Sequence, residues 1–296
     1  MSTKRTIIPT DLMIDNSNEI SINNFGFTYF NSKEPALKNI NIKIKPGEIV
    51  LIAGPSGCGK STLLKSINGL IPHMYPGNIL GNVSIDNIDV AQTSITEIAK
   101  KVGFVFQNPE NQIFMFSVER DIAFGLENLG MPREVIREQV DWAIHLLGIE
   151  NLATRAPHEL SDGQKQRVAL AGVLAMKPGI LVLDEPTSLL DPYAALELVE
   201  IVKMLNKDLG VTVLIVEHRL DIIVKVANRI ICLSKGEVLH DDVPRKVLSK
   251  KKLSDIGIGV PIVSNLHNIL NDNQLELGET SLSTEELVNK LDVILS

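Results

Sequence analysis

From Lys38 to Lys45 the chain reads KNINIKIK, with Ile40, Ile42 and Ile44 alternating against polar neighbours. A period of two predicts a half-buried strand in an antiparallel sheet. Pro46-Gly47 turns the chain, and the pattern then changes. EIVLIAG is a continuous apolar run ending at Gly54, GILVLD ends at Asp184, and VTVLIVEH ends at His218. Runs that are apolar at nearly every position, set between helical patterns, predict buried strands of a parallel α/β sheet. Each run gives way to polar residues, and open α/β sheets hold ligands beyond the carboxyl ends of their strands.

Helical patterns are equally clear. Pro132 opens one that carries Val135, Ile136, Val140, Ile144 and Leu147 and stops at Gly148. Asp191-Pro192 combines an N-cap residue with proline at the first helical position, and Leu196, Val199, Val202 and Leu205 follow at helical spacing. RIICLSKGEVLHDD predicts a hairpin turning at Lys235-Gly236. Residues 1–19 form a polar N-terminal extension. Beyond Lys250 the periodicity weakens into a tail. Its end carries a capping-box pair, Ser283 and Glu286, before a short helix with Leu287, Leu291 and Ile294 on one face.

Composition narrows the function classes. A chain of 296 residues has the size of one large domain or two ordinary ones. Its net charge of −7 argues against coating nucleic acid, and no nucleic-acid partner is expected. With only Cys58 and Cys232, a disulfide framework is not expected and a reducing compartment is the default. The first residues lack the apolar stretch of a signal peptide, and no run reaches the roughly 18 apolar residues needed to cross a bilayer. The expectation is a cytoplasmic protein able to bind an embedded partner.

Two stretches carry chemistry. GPSGCGKST fits G-x-x-x-x-G-K-[ST] and lies between a buried strand and a helix, the context this phosphate-binding motif requires. Gly54, Pro55, Ser56, Gly57, Cys58 and Gly59 would wrap phosphates with backbone N–H groups, aided by the helix N-terminus. Cys58 occupies a variable position and reads as a small filler. Lys60 would place a point charge on the β/γ-phosphates, Ser61 would ligate Mg²⁺, and Thr62 completes the motif. In LVLDEP, Asp184 and Glu185 end another buried strand, where unpaired carboxylates are costly. Asp184 would hold the Mg²⁺ water shell, and Glu185 would polarise the attacking water as general base.

HELSDGQKQR, from His158 to Arg167, is less easily read. Ser161 and Gln164 make a capping box for the helix that follows. Capping leaves Gly163 unexplained, since glycine is a poor residue in a first helical turn.

The P-loop, LSDGQ, LVLDEP and VEH, in this order, resemble ABC-type ATPases, and the likeness runs from about Ile20 to Leu248. It implies an α/β fold: a P-loop NTPase with a RecA-like core, an antiparallel β subdomain and a helical subdomain at about residues 108–178. A small C-terminal extension, residues 249–296, would serve dimerisation. The implied cofactors are ATP and Mg²⁺. Tyr29 resembles the aromatic that stacks on adenine, though as a strand residue it also reads as a core aromatic. Gln107 resembles the glutamine that contacts Mg²⁺ and the attacking water and links the site to a membrane partner. His218 resembles the switch histidine at the γ-phosphate, and Ser188 to Asp191 the loop touching the opposite subunit.

In that family two ATPase subunits pair head to tail with ATP between them. The likeness therefore places Ser161, Asp162, Gly163 and Gln164 over phosphates held by the partner's P-loop. Asp162 stands where the family commonly has glycine. A carboxylate facing phosphate is repulsive, so this one is expected to point away, toward first-turn N–H groups or a basic residue.

Phe106 to Asn128, the segment around LSDGQKQRVALAG, GLIPHMYPG and VEHRLD are similar to ATPases of energy-coupling-factor importers, which take up vitamins or metal ions. The resemblance implies pairing with itself or a paralogous ATPase, plus integral membrane subunits and a substrate-binding membrane subunit. The chain would then sit at the cytoplasmic face of the membrane. Phe114, Met115 and Phe116 read as an apolar socket for a membrane partner's helix, or alternatively as core of the helical subdomain. Another ABC importer class, or a soluble ABC ATPase, is the alternative function.

Overall fold

The alternating segment and the continuous apolar runs fold into two different sheets, as their periods require. The computed structural model describes residues 18–250 and 253–295, so residues 1–17 of the N-terminal extension lie outside the described part. The chain opens with β1 (Ile20–Tyr29), β2 (Leu37–Ile44) and β3 (Ile49–Ala53), then α1 (Lys60–Ile67) and α2 (Leu70–His73). β4 (Gly77–Ile85), β5 (Ile88–Asp89), α3 (Ile95–Lys101) and β6 (Val102–Val105) follow. Next come α4 (Val118–Asn128), α5 (Arg133–Leu146) and α6 (Asp162–Leu174). β7 (Ile180–Asp184), α7 (Pro192–Leu209), β8 (Thr212–Val216), α8 (Leu220–Ile223), β9 (Arg229–Ser234) and β10 (Glu237–Asp242) complete the sheets. The chain closes with α9 (Pro244–Leu248), α10 (Ile262–Asp272) and α11 (Thr284–Leu295).

The smaller sheet is antiparallel in the order β2-β1-β4-β5. In β2, Ile40, Ile42 and Ile44 all point into the core. The larger sheet has the order β10-β9-β3-β8-β7-β6 and is parallel except for the β9–β10 hairpin. Lys235 and Gly236 turn that hairpin with φ of 50° and 81°, the positive pair that a two-residue turn between twisted strands favours.

Strand side chains alternate between faces, so each apolar run feeds two cores. Leu51, Leu181, Leu183, Val213 and Ile215 pack with the helices α4 to α7 on one face. Val50, Ile52, Val182, Leu214 and Val216 pack with α1 and the antiparallel sheet on the other. Cover on both faces leaves no polar side, which is why these strands do not alternate.

β1 went unread in the sequence, and two other elements depart from its reading. β1 lacks a clean period because its pairing slips around Asn23-Asn24, where Asn24 has φ of 47°. In α7 the buried stripe is Ala195, Leu198, Val199, Val202, Leu205 and Leu209, while Leu196 is 56% exposed. At 3.6 residues per turn Leu196 falls one position off that stripe. The residues beyond Lys250 are a packed element rather than a loose tail. Leu253 and Ile258 join the main core, and Arg245 donates to the Thr280 carbonyl and to Glu286. Ser283 accepts the Glu286 N–H, but the Glu286 carboxylate turns to the Leu282 N–H and Arg245, so the expected capping box is only half made. On α11 Leu287 is buried, whereas Ile294 is exposed.

Candidate functional site

The P-loop follows β3. Gly59 has φ of 111°, and a Cβ there would lie 2.6 Å from the Ala36 carbonyl oxygen, so the loop requires glycine. Lys60 Nζ donates to the carbonyls of Gly54 at 2.8 Å and Pro55 at 3.0 Å, which holds the ammonium inside the loop. Ser61 Oγ donates to Asp184 Oδ1 at 3.3 Å. Ser56 and Gly57 form the exposed crest, and Gly54 and Cys58 are buried. Burial pushes the Cys58 thiol up, away from the thiolate that chemistry would need. Tyr29 ends β1 beside the loop, with its hydroxyl 3.0 Å from Thr62 Oγ1 and its ring edge-on to Phe27 at 4.8 Å.

Three strand ends converge on one carboxylate. Glu185 follows β7 with φ of 49°, its N–H held by the Val216 carbonyl at 2.9 Å. Gln107, beyond β6, donates from Nε2 to Glu185 Oε2 at 2.8 Å. His218, beyond β8, sets Nε2 3.0 Å from Glu185 Oε1. Adjacent strands of a parallel sheet deliver their following residues to the same edge, which brings positions 107, 185 and 218 together.

Burial pushes the Asp184 carboxyl above its ordinary range, and the neighbouring Glu185 charge adds to this against the Ser61 hydrogen bond. A divalent cation would relieve that cost. The hydroxyl of Ser61 and the carboxylate of Asp184 are hard oxygen donors suited to Mg²⁺. Among the described residues no group of three or more His, Cys, Asp or Glu is placed to hold a metal. So small a protein donor set fits an ion bound chiefly through phosphate and water.

The signature segment lies on a different surface. Ser161 caps α6 by accepting the Gln164 N–H at 3.4 Å, and Gln164 Oε1 accepts the Ser161 N–H at 3.0 Å. Asp162 faces Lys165, with Oδ1 3.8 Å from Nζ, and Lys165 also pairs with Glu110 beyond Gln107. A Cβ on Gly163 would stand 3.3 Å from Ala194 Cβ, so α7 crosses tightly over this turn. Capping alone did not explain that glycine; the close approach gives it a local reason. Arg167 pairs with Glu197, tying α6 to α7. Asp191 Oδ1 accepts the N–H groups of Tyr193 at 2.8 Å and Ala194 at 3.0 Å, and Ser188 is exposed nearby. Ser161 to Gln164, Leu189, Leu190 and Asp191 line one open cleft, which no P-loop residue enters.

Past Gln107 the chain forms an apolar ridge. Gln112 bridges the Phe106 N–H and the Phe104 carbonyl, and Asp121 accepts the N–H groups of Phe114 and Met115. Phe114 packs edge-on to Phe124 yet is 62% exposed, and Phe116 is 86% exposed. The core alternative therefore does not hold for these two rings. Sequence reading missed one residue here: Glu217, 4% exposed, accepts the N–H groups of Thr187 and His218. Its signal was a lone carboxylate between the apolar run of β8 and His218, the same break that singled out Asp184 and Glu185.

A P-loop, a strand-end carboxylate pair and a capped helix facing outward define an ABC-type ATPase. The ABC transporter family pattern matches residues 37–188, and the chain belongs to that family as an ATP-hydrolysing transporter subunit. It is similar to the energy-coupling factor transporter ATP-binding protein EcfA1 of Clostridium perfringens, at 38% identity over 280 residues, covering 93% of this chain and 98% of that protein. Among solved structures it resembles cbiO1 from Clostridium perfringens, part of the ABC transporter complex cbiONQ. That match has TM-score 0.71 and 34% identity, covering 87% of this chain and 98% of that one. A dimeric, post-hydrolysis ATP-binding cassette, MJ0796 with ADP and Pi, matches with TM-score 0.66 and 35% identity, covering 76% of this chain and 99% of that one.

Proposed function

We propose that the chain powers an importer of the energy-coupling-factor type for a vitamin or a transition-metal ion, from the cytoplasmic face of the membrane. The likenesses to EcfA1 and cbiO1 support the importer class. The single observation that carries the membrane coupling is the exposed Phe114–Phe116 ridge directly beyond Gln107. Two exposed aromatic rings, on a turn whose Phe114 and Met115 N–H groups Asp121 fixes, suit a helix-in-groove contact. No described helix is long and apolar enough to cross a membrane, so attachment would run through partner subunits.

Residues 20–248 would be the ATPase unit and 249–296 an extension serving dimerisation. Exposed Ile262, Leu266 and Ile269 on α10 support that role, being spaced to share one helix face. Tyr29 would take the adenine, and Gly54 to Thr62 the phosphates. Lys60 exchanges the Gly54 and Pro55 carbonyls for β- and γ-phosphate oxygens. Ser61, Asp184 and Gln107 would hold Mg²⁺, which neutralises phosphate charge when bound.

Glu185 accepts a proton from the attacking water as its oxygen bonds to the γ-phosphorus and the bond to the β-phosphate oxygen breaks, releasing ADP and phosphate. Gln107 and His218 aim that carboxylate. Ser161, Gly163 and Gln164 of a second subunit, identical or paralogous, close the site with the positive end of α6, and Ser188 to Asp191 line the contact.

Affinity purification from native membranes tests this reading. Integral membrane subunits, one of them substrate-binding, should accompany the chain. Phe116→Ser should weaken that association and leave ATP binding intact. A chain recovered without any membrane partner overturns the importer reading in favour of a soluble ABC ATPase.

A further inference from the structure

One buried carboxylate has no part in the steps above. Glu217 follows β8 and is 4% exposed. Its Oε1 accepts the Thr187 N–H at 2.8 Å, and its Oε2 accepts the His218 N–H at 3.2 Å. Burial pushes this carboxyl up, and its hydrogen bonds to Thr187 and to the N–H groups of His218 and Arg219 oppose that shift. A carboxylate is an expensive group to bury, and an apolar residue here would leave two N–H groups unpaired.

Thr187 and His218 belong to different loops. Thr187 opens the segment that runs through Ser188 to Asp191, of which Leu189, Leu190 and Asp191 line the signature cleft. His218 begins the segment after β8 and meets Glu185 through Nε2. Between Glu185 and Thr187 stands only Pro186, whose ring fixes φ and leaves little slack. A shift of Thr187 therefore reaches both Glu185, through Pro186, and His218, through the Glu217 carboxylate.

We propose that Glu217 is a positioning residue that yokes the Ser188–Asp191 loop to His218, so that docking of a second subunit on the loop sets the imidazole against Glu185. The yoke makes hydrolysis depend on the subunit contact without touching nucleotide itself. It rests on the assignment of Glu185 and His218 to hydrolysis, which Glu185→Gln tests separately.

Glu217→Gln keeps the volume but turns an amide NH₂ toward one of the two N–H groups, cutting one tether. In the full chain, kcat should fall about tenfold. The nucleotide Kd should stay within about twofold, because the P-loop is untouched. The Hill coefficient for ATP should drop toward one. Glu217→Ala cuts both tethers and should lower kcat further, with melting curves showing whether it folds; the glutamine variant decides alone if it does not. Wild-type kcat and Hill coefficient in Glu217→Gln overturn the proposal. So does a loss of nucleotide affinity that matches the loss of kcat, the mark of a general structural role. If Glu185→Gln still hydrolyses ATP, the site assignment fails instead.

Discussion

The carboxyl edge of the parallel sheet and the surface around Ser161 are built in opposite ways. At the sheet edge the groups already bond one another: Lys60 to Gly54 and Pro55, Ser61 to Asp184, Gln107 and His218 to Glu185. Around Ser161 the bonds at the two helix starts are local caps, Ser161 with Gln164 and Asp191 with Tyr193 and Ala194, while Lys165–Glu110 and Arg167–Glu197 brace α6, and the cleft is open. The first region can order its own chemistry. The second presents a capped helix N-terminus with nothing of its own chain to act on. Such an end attracts anions, and the phosphate loop between β3 and α1 lies on the other surface. Under the proposed function, this difference is the reason one chain would need a second to hydrolyse ATP.

Removing the centre of the first region should have the largest effect. Glu185→Gln should retain ATP and lower turnover by about a hundredfold or more, as loss of a general base does. Rapid-quench hydrolysis near the wild-type rate would break the assignment. Ser161→Ala acts on the second region and should weaken turnover less. It also removes a cap worth about 1 kcal/mol, while equilibrium binding of a fluorescent ATP analogue to the P-loop stays unchanged. Mixing these two variants sharpens the comparison. If the chain pairs with itself, a mixed dimer contains one site with both intact regions, so the mixture should hydrolyse faster than the average of the two variants. A mixture no faster than that average would show that the regions do not meet across subunits.

The smallest effect concerns pH. The Asp184 carboxyl is pushed up in the fold, so the nucleotide-free native state holds this proton more tightly than the unfolded chain. Its contribution to stability is therefore lost as pH rises from the ordinary carboxylate range, near about 4, through the raised value. Asp184→Asn removes that penalty. Its melting temperature without Mg²⁺ should exceed wild type at neutral pH, and the gap should close on acidification. Equal melting temperatures at neutral pH would mean the charge costs the fold nothing.

Legibility followed the same divide. The capping box at Ser161, the proline start of α7 and the turn at Lys235-Gly236 were readable because each involves residues at most a few positions apart. The phosphate loop was readable for the same reason: nine consecutive residues make it. By contrast, the slip in β1 depends on two neighbouring strands, and the exposure of Leu196 depends on which face of α7 meets the core. The packing of the residues past Lys250 was hidden because it is made with partners distant in the chain, Gly257 against Pro55 and Gly259 against His218.

By itself, then, the sequence determined the local conformations and the chemistry on offer: which strands are buried on both faces, where helices begin, which residues can hold phosphate. Those follow from backbone sterics, capping and hydrophobic period within short windows. Tertiary structure alone decided that Gln107, Glu185 and His218 share one carboxylate, that Glu217 spans two loops, and that Phe114 and Phe116 face outward. Each of these depends on the strand order β3-β8-β7-β6 and on helix packing, and long-range adjacency of that kind is a property of the whole core rather than of any segment.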